Sequence, residues 1–344
     1  MRYKLLGKSG LRVSELCLGT MTFGEEWGWG ASQEESRKIF EAFAEAGGNF
    51  IDTANRYTEG SSEKFVGEFV APDRNRFVVA TKYTLYNRTG DPNAAGNHRK
   101  NMVQSLEASL KRLNLDYIDL YWVHAWDFMT PIEEVMRALD DLVRAGKVLY
   151  VGISDTPAWI VSRANTLAEL QGWSRFVGLQ IRYSLIDRTA ERELLPMAQA
   201  FDMGVTIWSV LAAGVLSGKY LADPQATGRA AAGVTGASER NRAIAQCVVD
   251  VAKEVGCTPS QVAISWAMRQ PGLIIPIIGA RNLAQLQDNL DSLKCDLSAQ
   301  QLQRLDEVSR IELGFPHEFL ASEGMRKNIY AEMYGEIDDH RQQR

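Results

Sequence analysis

Eight short apolar runs, each followed by a stretch long enough for an amphipathic helix, constrain most strongly how this chain can fold. The runs are Glu15–Gly19, Asn49–Thr53, Phe77–Lys82, Ile118–His124, Val148–Ser154, Phe176–Gln180, Val205–Ser209 and Leu273–Ile278. Several are almost continuous in Val, Ile, Leu and Phe, as parallel strands covered on both faces require. Helix punctuation lies between them. Ser32-Gln33-Glu34-Glu35 opens one helix with a cap-like start and Gly47-Gly48 closes it. Pro131 with Glu133 and Glu134 opens another, which ends in Arg144-Ala145-Gly146-Lys147. Ser61–Val70, Arg99–Arg112, Pro157–Leu170 and Thr189–Phe201 fill further helical slots.

Alternation of this kind predicts an α/β protein with a parallel sheet. Eight units predict closure into a (β/α)8 TIM barrel, with an open doubly wound sheet as the alternative. No break in composition marks a linker, so residues 1–344 read as one barrel domain. Tyr3–Val13 reads as a hairpin capping the barrel floor. Leu216–Arg240, rich in Gly and Ala, reads as a long mobile loop after the seventh barrel strand. Ser298–Val308 reads as a C-terminal helix, followed by an irregular tail whose Gly314-Phe315-Pro316-His317 suggests a turn laid over the barrel.

Composition removes several function classes. A formal net charge of −5 disfavours a nucleic-acid surface. No apolar run approaches the ~18 residues of a membrane helix. Met1–Gly7 carries no signal-peptide pattern. The cysteines at 17, 247, 257 and 295 form no close pair and no zinc-like spacing, so a reduced, cytoplasmic setting is the expectation. His98, His124, His317 and His340 are scattered over different elements, so no metal is expected. Gly28-Trp29-Gly30 lacks the third glycine of a dinucleotide fingerprint, and Asn87-Arg88-Thr89 is a chance sequon.

Chemistry in a barrel belongs at the carboxyl ends of its strands. Here three consecutive strands end in Asp52, Lys82 and His124, with Tyr57 in the loop just past Asp52. Singly these have bland readings: a helix cap, a snorkelling lysine, a structural histidine, a surface tyrosine. Together they do not. A buried Asp–Lys pair is weak evidence for stability, and tuning a neighbour's pKa explains it better.

The stretch Gly48-Asn49-Phe50-Ile51-Asp52-Thr53-Ala54-Asn55-Arg56-Tyr57, with Ala80-Thr81-Lys82 and Leu120-Tyr121-Trp122-Val123-His124, resembles the signatures of the aldo-keto reductase superfamily. The resemblance runs from Leu16-Cys17-Leu18-Gly19-Thr20 to Gln285 and Asn289, and is nearer the microbial aryl-alcohol-dehydrogenase-like and general-stress-like branches than the mammalian aldose reductases. It implies an NADP(H)-dependent reductase of aldehydes and ketones. Asp52, Tyr57, Lys82 and His124 would be its catalytic tetrad. Tyr57 would protonate the carbonyl oxygen, cationic Lys82 would bring its pKa down, Asp52 would hold Lys82, and His124 would orient the carbonyl.

The same resemblance implies cofactor contacts from Gly19, Thr20, Met21 and Asp52. Ser154, Asp155 and Gln180 match the carboxamide ligands, although the family more often has Ser-Asn for the first two. Trp208 matches the ring that stacks on the nicotinamide. Ser209, Leu211, Gly214, Ser217 and Lys219 match the pyrophosphate loop, and Gly279, Arg281, Gln285 and Asn289 the adenosine end. The helix near Asn282 is expected to present free backbone N–H groups beside Arg281, favouring a 2′-phosphate. Phe23, Trp27, Trp29, Tyr83, Tyr86, Trp126 and Phe128 fall in loops expected around the mouth, and Trp27, Trp29, Tyr83 and Trp126 are the expected substrate contacts. Such a rim suits aryl or sugar-like carbonyls or alcohols. The partner is then a small molecule, not nucleic acid or membrane, and the chain a monomer or weak homo-oligomer. Two rivals stay open: a barrel enzyme using Lys82 as a Schiff-base nucleophile, and a regulatory NADPH-binding subunit without turnover.

Overall fold

A hairpin of β1 (Tyr3–Leu5) and β2 (Arg12–Ser14) precedes eight strands that close on themselves. These are β3 (Cys17–Gly19), β4 (Phe50–Asp52), β5 (Val78–Tyr83), β6 (Ile118–Val123), β7 (Val148–Ser154), β8 (Phe176–Arg182), β9 (Gly204–Trp208) and β10 (Ile274–Ile278). Every neighbour is parallel, and β10 pairs with both β9 and β3 to complete the closed barrel. The open-sheet alternative is thereby excluded. The structure is a computed structural model that describes residues 1–222 and 238–338. The mobile-loop expectation for 216–240 falls mostly on residues 223–237, outside the described residues, as does His340.

The helices are α1 (Gln33–Glu45), α2 (Ser61–Val70), α3 (Arg99–Leu113), α4 (Ile132–Arg144), α5 (Ala158–Gln171), α6 (Leu194–Ala200), α7 (Lys219–Ala222), α8 (Glu239–Val255), α9 (Pro259–Met268), α10 (Leu283–Asp291) and α11 (Ala299–Ser309). Ser32 caps α1 by accepting the Glu35 N–H, as its sequence predicts. The expected helix Thr189–Phe201 is broken. A single 3-10 turn, Thr189–Glu191, precedes α6. Pro196 is the reason: lacking an N–H and clashing with the preceding turn, it is tolerated only in a first helical turn.

The chain divides into two compact units, Met1–Ser309 and Arg310–Arg344. The second is not the irregular tail that composition suggested, because it carries α12 (His317–Ala321) and α13 (Glu323–Ile329). Ser322 caps α13 by accepting the Met325 N–H at 3.4 Å. Among the described residues no helix is long and apolar enough to cross a membrane.

Strand alternation sorts the barrel unit into two cores. Cys17, Phe50, Val78, Ala80, Leu120, Trp122 and Ile275 point inward, and Leu6 and Val13 from the hairpin region close the floor beneath them. Their neighbours Leu18, Ile51, Val79, Tyr121 and Val123 point outward against the helices. Trp122 is the largest interior side chain, and β7 and β8 make room for it with glycine. A Cβ on Gly152 would lie 2.3 Å from its ring, and one on Gly178 2.8 Å. Gly152→Ala is therefore expected to destabilise the fold by ~1–3 kcal/mol through overpacking. Urea denaturation measures this, and Trp122→Phe in the same chain should recover part of the loss.

Candidate active site

The chain leaves β4 at Asp52 and soon enters a strained turn. Thr58, Glu59 and Gly60 adopt positive φ of 45°, 54° and 92° in succession, directing the chain sharply into α2. Side chains hold this turn. The Thr58 hydroxyl donates to the Phe23 carbonyl at 2.6 Å, and Arg56 pairs with Glu59 and donates to the Tyr86 hydroxyl at 2.6 Å. Tyr57 is thus presented at the strand ends by a backbone with little freedom. Other left-handed residues follow four more of the strands, β5, β6, β7 and β9: Thr84, Phe128, Asp155 and Ser209. Clusters of this kind occur where the surrounding structure imposes a geometry.

Lys82, wholly buried, links the site together. Its Nζ donates to Asp52 Oδ2, to the Thr53 carbonyl at 2.9 Å and to Tyr57 Oη at 3.0 Å. An ammonium has three N–H donors, and all three are used. Asp52 spends its other oxygen on Gln180, accepting from Nε2 at 3.0 Å. The His124 ring stands edge-on to Tyr57 with centroids 6.0 Å apart. Burial drives the Lys82 ammonium toward neutrality, but Asp52 and Tyr57 outweigh it and leave its pKa above the ordinary lysine value. Burial, assisted by the Lys82 charge, holds His124 well below the usual histidine range, so its imidazole is neutral.

Tyr57 departs from expectation. Lys82 does pull its pKa down, but burial acts more strongly in the opposite direction and the phenol ends above the ordinary tyrosine value. The proton is therefore held more firmly than anticipated. The signs give a pH profile. A phenol acting as proton donor would be lost only above pH ~10, and a histidine already neutral contributes no limb near pH ~6.5. The kcat/KM for carbonyl reduction should be flat between pH ~6 and ~9, and a limb with apparent pKa near 6.5 would show that His124 titrates.

The expected cofactor residues fall largely at one end of the barrel. Gly19 pairs with Asp52 in register, and Thr20 is buried with its hydroxyl donating to the Asp52 carbonyl at 3.0 Å. Thr20 thus braces β4 and does not face the mouth, whereas Met21 is half-buried. Ser154 and Gln180 are buried and Asp155 is exposed. Trp208 is half-buried and donates its indole N–H to Asp155 Oδ1 at 3.3 Å. Beyond β9, Ser209, Ala212, Ala213 and Gly214 all have positive φ, while Leu211 packs on the core. Ser217 donates to the Gly214 carbonyl at 2.7 Å, and the Lys219 Nζ lies 4.7 Å from the Tyr220 ring centroid.

The start of α10 requires a correction. Two of its backbone donors are already used: Leu283 N–H donates to Glu35 Oε1 at 2.9 Å and Gln285 N–H to Asn282 Oδ1 at 2.9 Å. The Arg281 N–H is taken by Gln285 Oε1 at 3.0 Å, and Asn289 donates to the Gly279 carbonyl at 3.2 Å. The Arg281 side chain itself is exposed.

The aromatic rim is smaller than predicted. Trp27 meets Tyr57 edge-on at 6.5 Å, stacks obliquely on Trp29 at 5.6 Å, and donates to Glu59 at 3.1 Å. Their loop is pinched shut where Gly24 N–H donates to Ala31 O and Ala31 N–H to Thr22 O. Gly30 is obligatory there, since a Cβ would fall 1.6 Å from the Gly24 carbonyl oxygen. Tyr83 does not belong to the rim. Adjacent to inward-facing Lys82, it points outward by strand parity, stacks on Tyr121 at 5.3 Å and donates to the Asn97 carbonyl. Phe23 is likewise buried, edge-on to Phe69. Trp126 packs on the helix-side core and lines a separate cavity of ~410 Å³ with Phe128, Met129 and Trp159.

Three features gave no usable signal in the sequence. Asn97, fully buried, ties the loops after β5 and β6 together by donating to Thr84 Oγ1 and Ala125 O and exchanging bonds with Asp127. Asn87, the supposed chance sequon, links Asn55 to Ser105. Arg182 lies 5.7 Å from the Trp208 ring centroid. Asn55 alone was findable, standing inside the Asp52–Tyr57 motif.

The structure thus carries a buried lysine–carboxylate–tyrosine cluster at the strand ends of a closed parallel barrel. The profile of the aldo/keto reductase family matches residues 15–310, and the chain belongs to that family. Among its relatives is norsolorinic acid reductase of Emericella nidulans, 38% identical over 329 residues, covering 93% of this chain and 84% of that protein. Another is the aryl-alcohol dehydrogenase [NADP(+)] of Phanerodontia chrysosporium, 37% identical, covering 96% and 91%. An aryl-alcohol dehydrogenase of Pestalotiopsis microspora is 37% identical over 94% and 86%. These names agree with the branch that the motifs indicated.

Proposed function

We propose that the protein interconverts aldehydes or ketones and alcohols with NADP(H), using Tyr57 as the proton donor. The observation that carries this reading is the Lys82 ammonium held between Asp52, the Thr53 carbonyl and the Tyr57 hydroxyl. The residues present suit a nicotinamide dinucleotide. His124 keeps a buried Nδ1 without a partner among the described residues, Gln180 is oriented by Asp52, and Trp208 is half-exposed with its edge pinned. When bound, NADP(H) supplies or accepts the hydride.

In the reducing direction the carbonyl carbon gains that hydride and the oxygen gains the Tyr57 proton. Lys82 stabilises the tyrosinate left behind, and Asp52 keeps Lys82 charged and in place. Neutral His124 is suited to donate a hydrogen bond to the carbonyl oxygen. Trp27 and Trp29 offer aromatic faces beside Tyr57, which fits an aryl substrate. Lys82 is unsuited to Schiff-base chemistry, which needs a neutral amine, because its pKa lies above the lysine value and its donors are all engaged.

Preference for NADP(H) over NAD(H) is assigned to Arg281, whose guanidinium can grip a phosphate in a bidentate way. Glu35 occupies the Leu283 N–H and Asn282 the Gln285 N–H, so the exposed Arg281 guanidinium is the group assigned to the discrimination. Turnover of NADPH with aromatic aldehydes tests the activity. The kcat/KM for NADPH over NADH should fall about ten- to hundredfold in Arg281→Ala, as loss of a charge-assisted contact predicts. An unchanged ratio would remove Arg281 from this role.

A further inference from the structure

A second carboxylate stands at the barrel mouth, and the proton chemistry above does not use it. Asp155 follows β7 in the left-handed region with φ 41°, which non-glycine residues seldom adopt. Two bonds fix it there. Its N–H donates to the Gln180 carbonyl at 3.3 Å, and its Oδ1 accepts the Trp208 indole N–H at 3.3 Å. The nearby cation Arg182 is engaged elsewhere, bonded to Asp187 at 2.6 Å. Among the described residues Asp155 forms no ion pair, so its negative charge is not cancelled by contact.

We propose that Asp155 sets the redox preference of the bound cofactor, its charge favouring the cationic oxidised nicotinamide over the neutral reduced ring. The inference rests on Trp208 being the shelf on which the nicotinamide lies. Oxidised and reduced rings differ by one unit of charge close to the indole, and a carboxylate on the edge of that indole attracts only the oxidised form. Coulomb attraction is weak in bulk water but grows at a partly walled site, where the effective permittivity is lower. A neutral amide at this position would hydrogen bond equally well and lack the charge term. Burial raises the Asp155 pKa although the residue is exposed, because the mouth walls partly desolvate it. The Trp208 N–H, Lys82 and Arg182 oppose that rise and favour the ionised form.

The consequence reaches the direction of reaction. In alcohol oxidation the carbon gives up a hydride to the oxidised ring and the hydroxyl proton passes to the tyrosinate oxygen. Holding the oxidised cofactor more tightly loads the enzyme for that direction.

The test is a pair of dissociation constants, for NADP+ and NADPH, by quenching of tryptophan emission in wild type, Asp155→Asn and Asp155→Ala. The ratio Kd(NADP+)/Kd(NADPH) should rise about tenfold in both variants, equivalent to ~1.4 kcal/mol or ~30 mV for a two-electron couple. Asparagine keeps an acceptor for the indole N–H and so separates charge from hydrogen bonding. A wild-type ratio in Asp155→Asn overturns the proposal, even if alanine alters it. Loss of quench on Trp208→Ala checks the shelf itself. If quench persists there, the nicotinamide lies elsewhere, and both this inference and the placement of Trp208 fall.

Discussion

Tyr57→Phe should lower kcat for carbonyl reduction by ~10²–10⁴-fold, the range for removing a general acid, while the Kd for NADPH changes little. The phenylalanine ring keeps the edge contacts that Tyr57 makes with Trp27 and His124, so the mouth should hold its shape. Only the proton and its hydrogen bond to Lys82 are removed. The donated proton is needed as charge develops on the substrate oxygen, so the loss belongs to the transition state and to kcat rather than to cofactor binding. Steady-state kinetics with NADPH and an aromatic aldehyde, beside a fluorescence titration, separate the two. Retention of more than about a tenth of the wild-type kcat would remove Tyr57 from the role of acid.

The second large effect is on stability. Asp52→Ala takes the counter-ion from a lysine with no solvent access and should destabilise the fold by ~3–5 kcal/mol, the range for breaking a buried pair from one side. It also strips Gln180 of its acceptor. Replacing both partners, as in Asp52→Leu with Lys82→Met, should restore much of the stability while leaving the enzyme inactive.

The pH dependence distinguishes the pair from mere packing. In wild type the Lys82 pKa is raised, so its contribution is fully present below the unfolded lysine value of ~10.4 and is lost only as pH climbs through the higher folded value. In Asp52→Ala burial dominates and depresses the folded value below the unfolded one. The unfolded chain then binds more protons, so the variant should gain stability as pH rises from ~7 to ~9 while wild type does not. Urea melts at two pH values decide it.

The alternation of apolar runs and helical stretches indicated a parallel α/β fold and favoured the barrel, because parallel strands buried on both faces leave a near-continuous hydrophobic pattern; pairing of β10 with β3 then excluded the open sheet. Asp52, Lys82 and His124 were visible for the complementary reason. Ionisable groups ending three such runs are costly to bury without a task. Tyr57 came with them through its place in the loop beyond Asp52.

Direction and environment were decided only by the folded chain. Tyr83 and Lys82 are neighbours in sequence, yet one strand step sends Lys82 to the site and Tyr83 to the helix layer, and an aromatic residue pattern does not show which. The sign of the Tyr57 shift depended on burial outweighing the Lys82 charge, and only tertiary packing sets how deeply the ring is buried. Likewise Glu35 reaches the start of α10 across 248 positions, and Asp155 meets Trp208 across 53. Contacts at that range leave no local periodicity, since they arise where closure of the barrel brings strand ends and loops together.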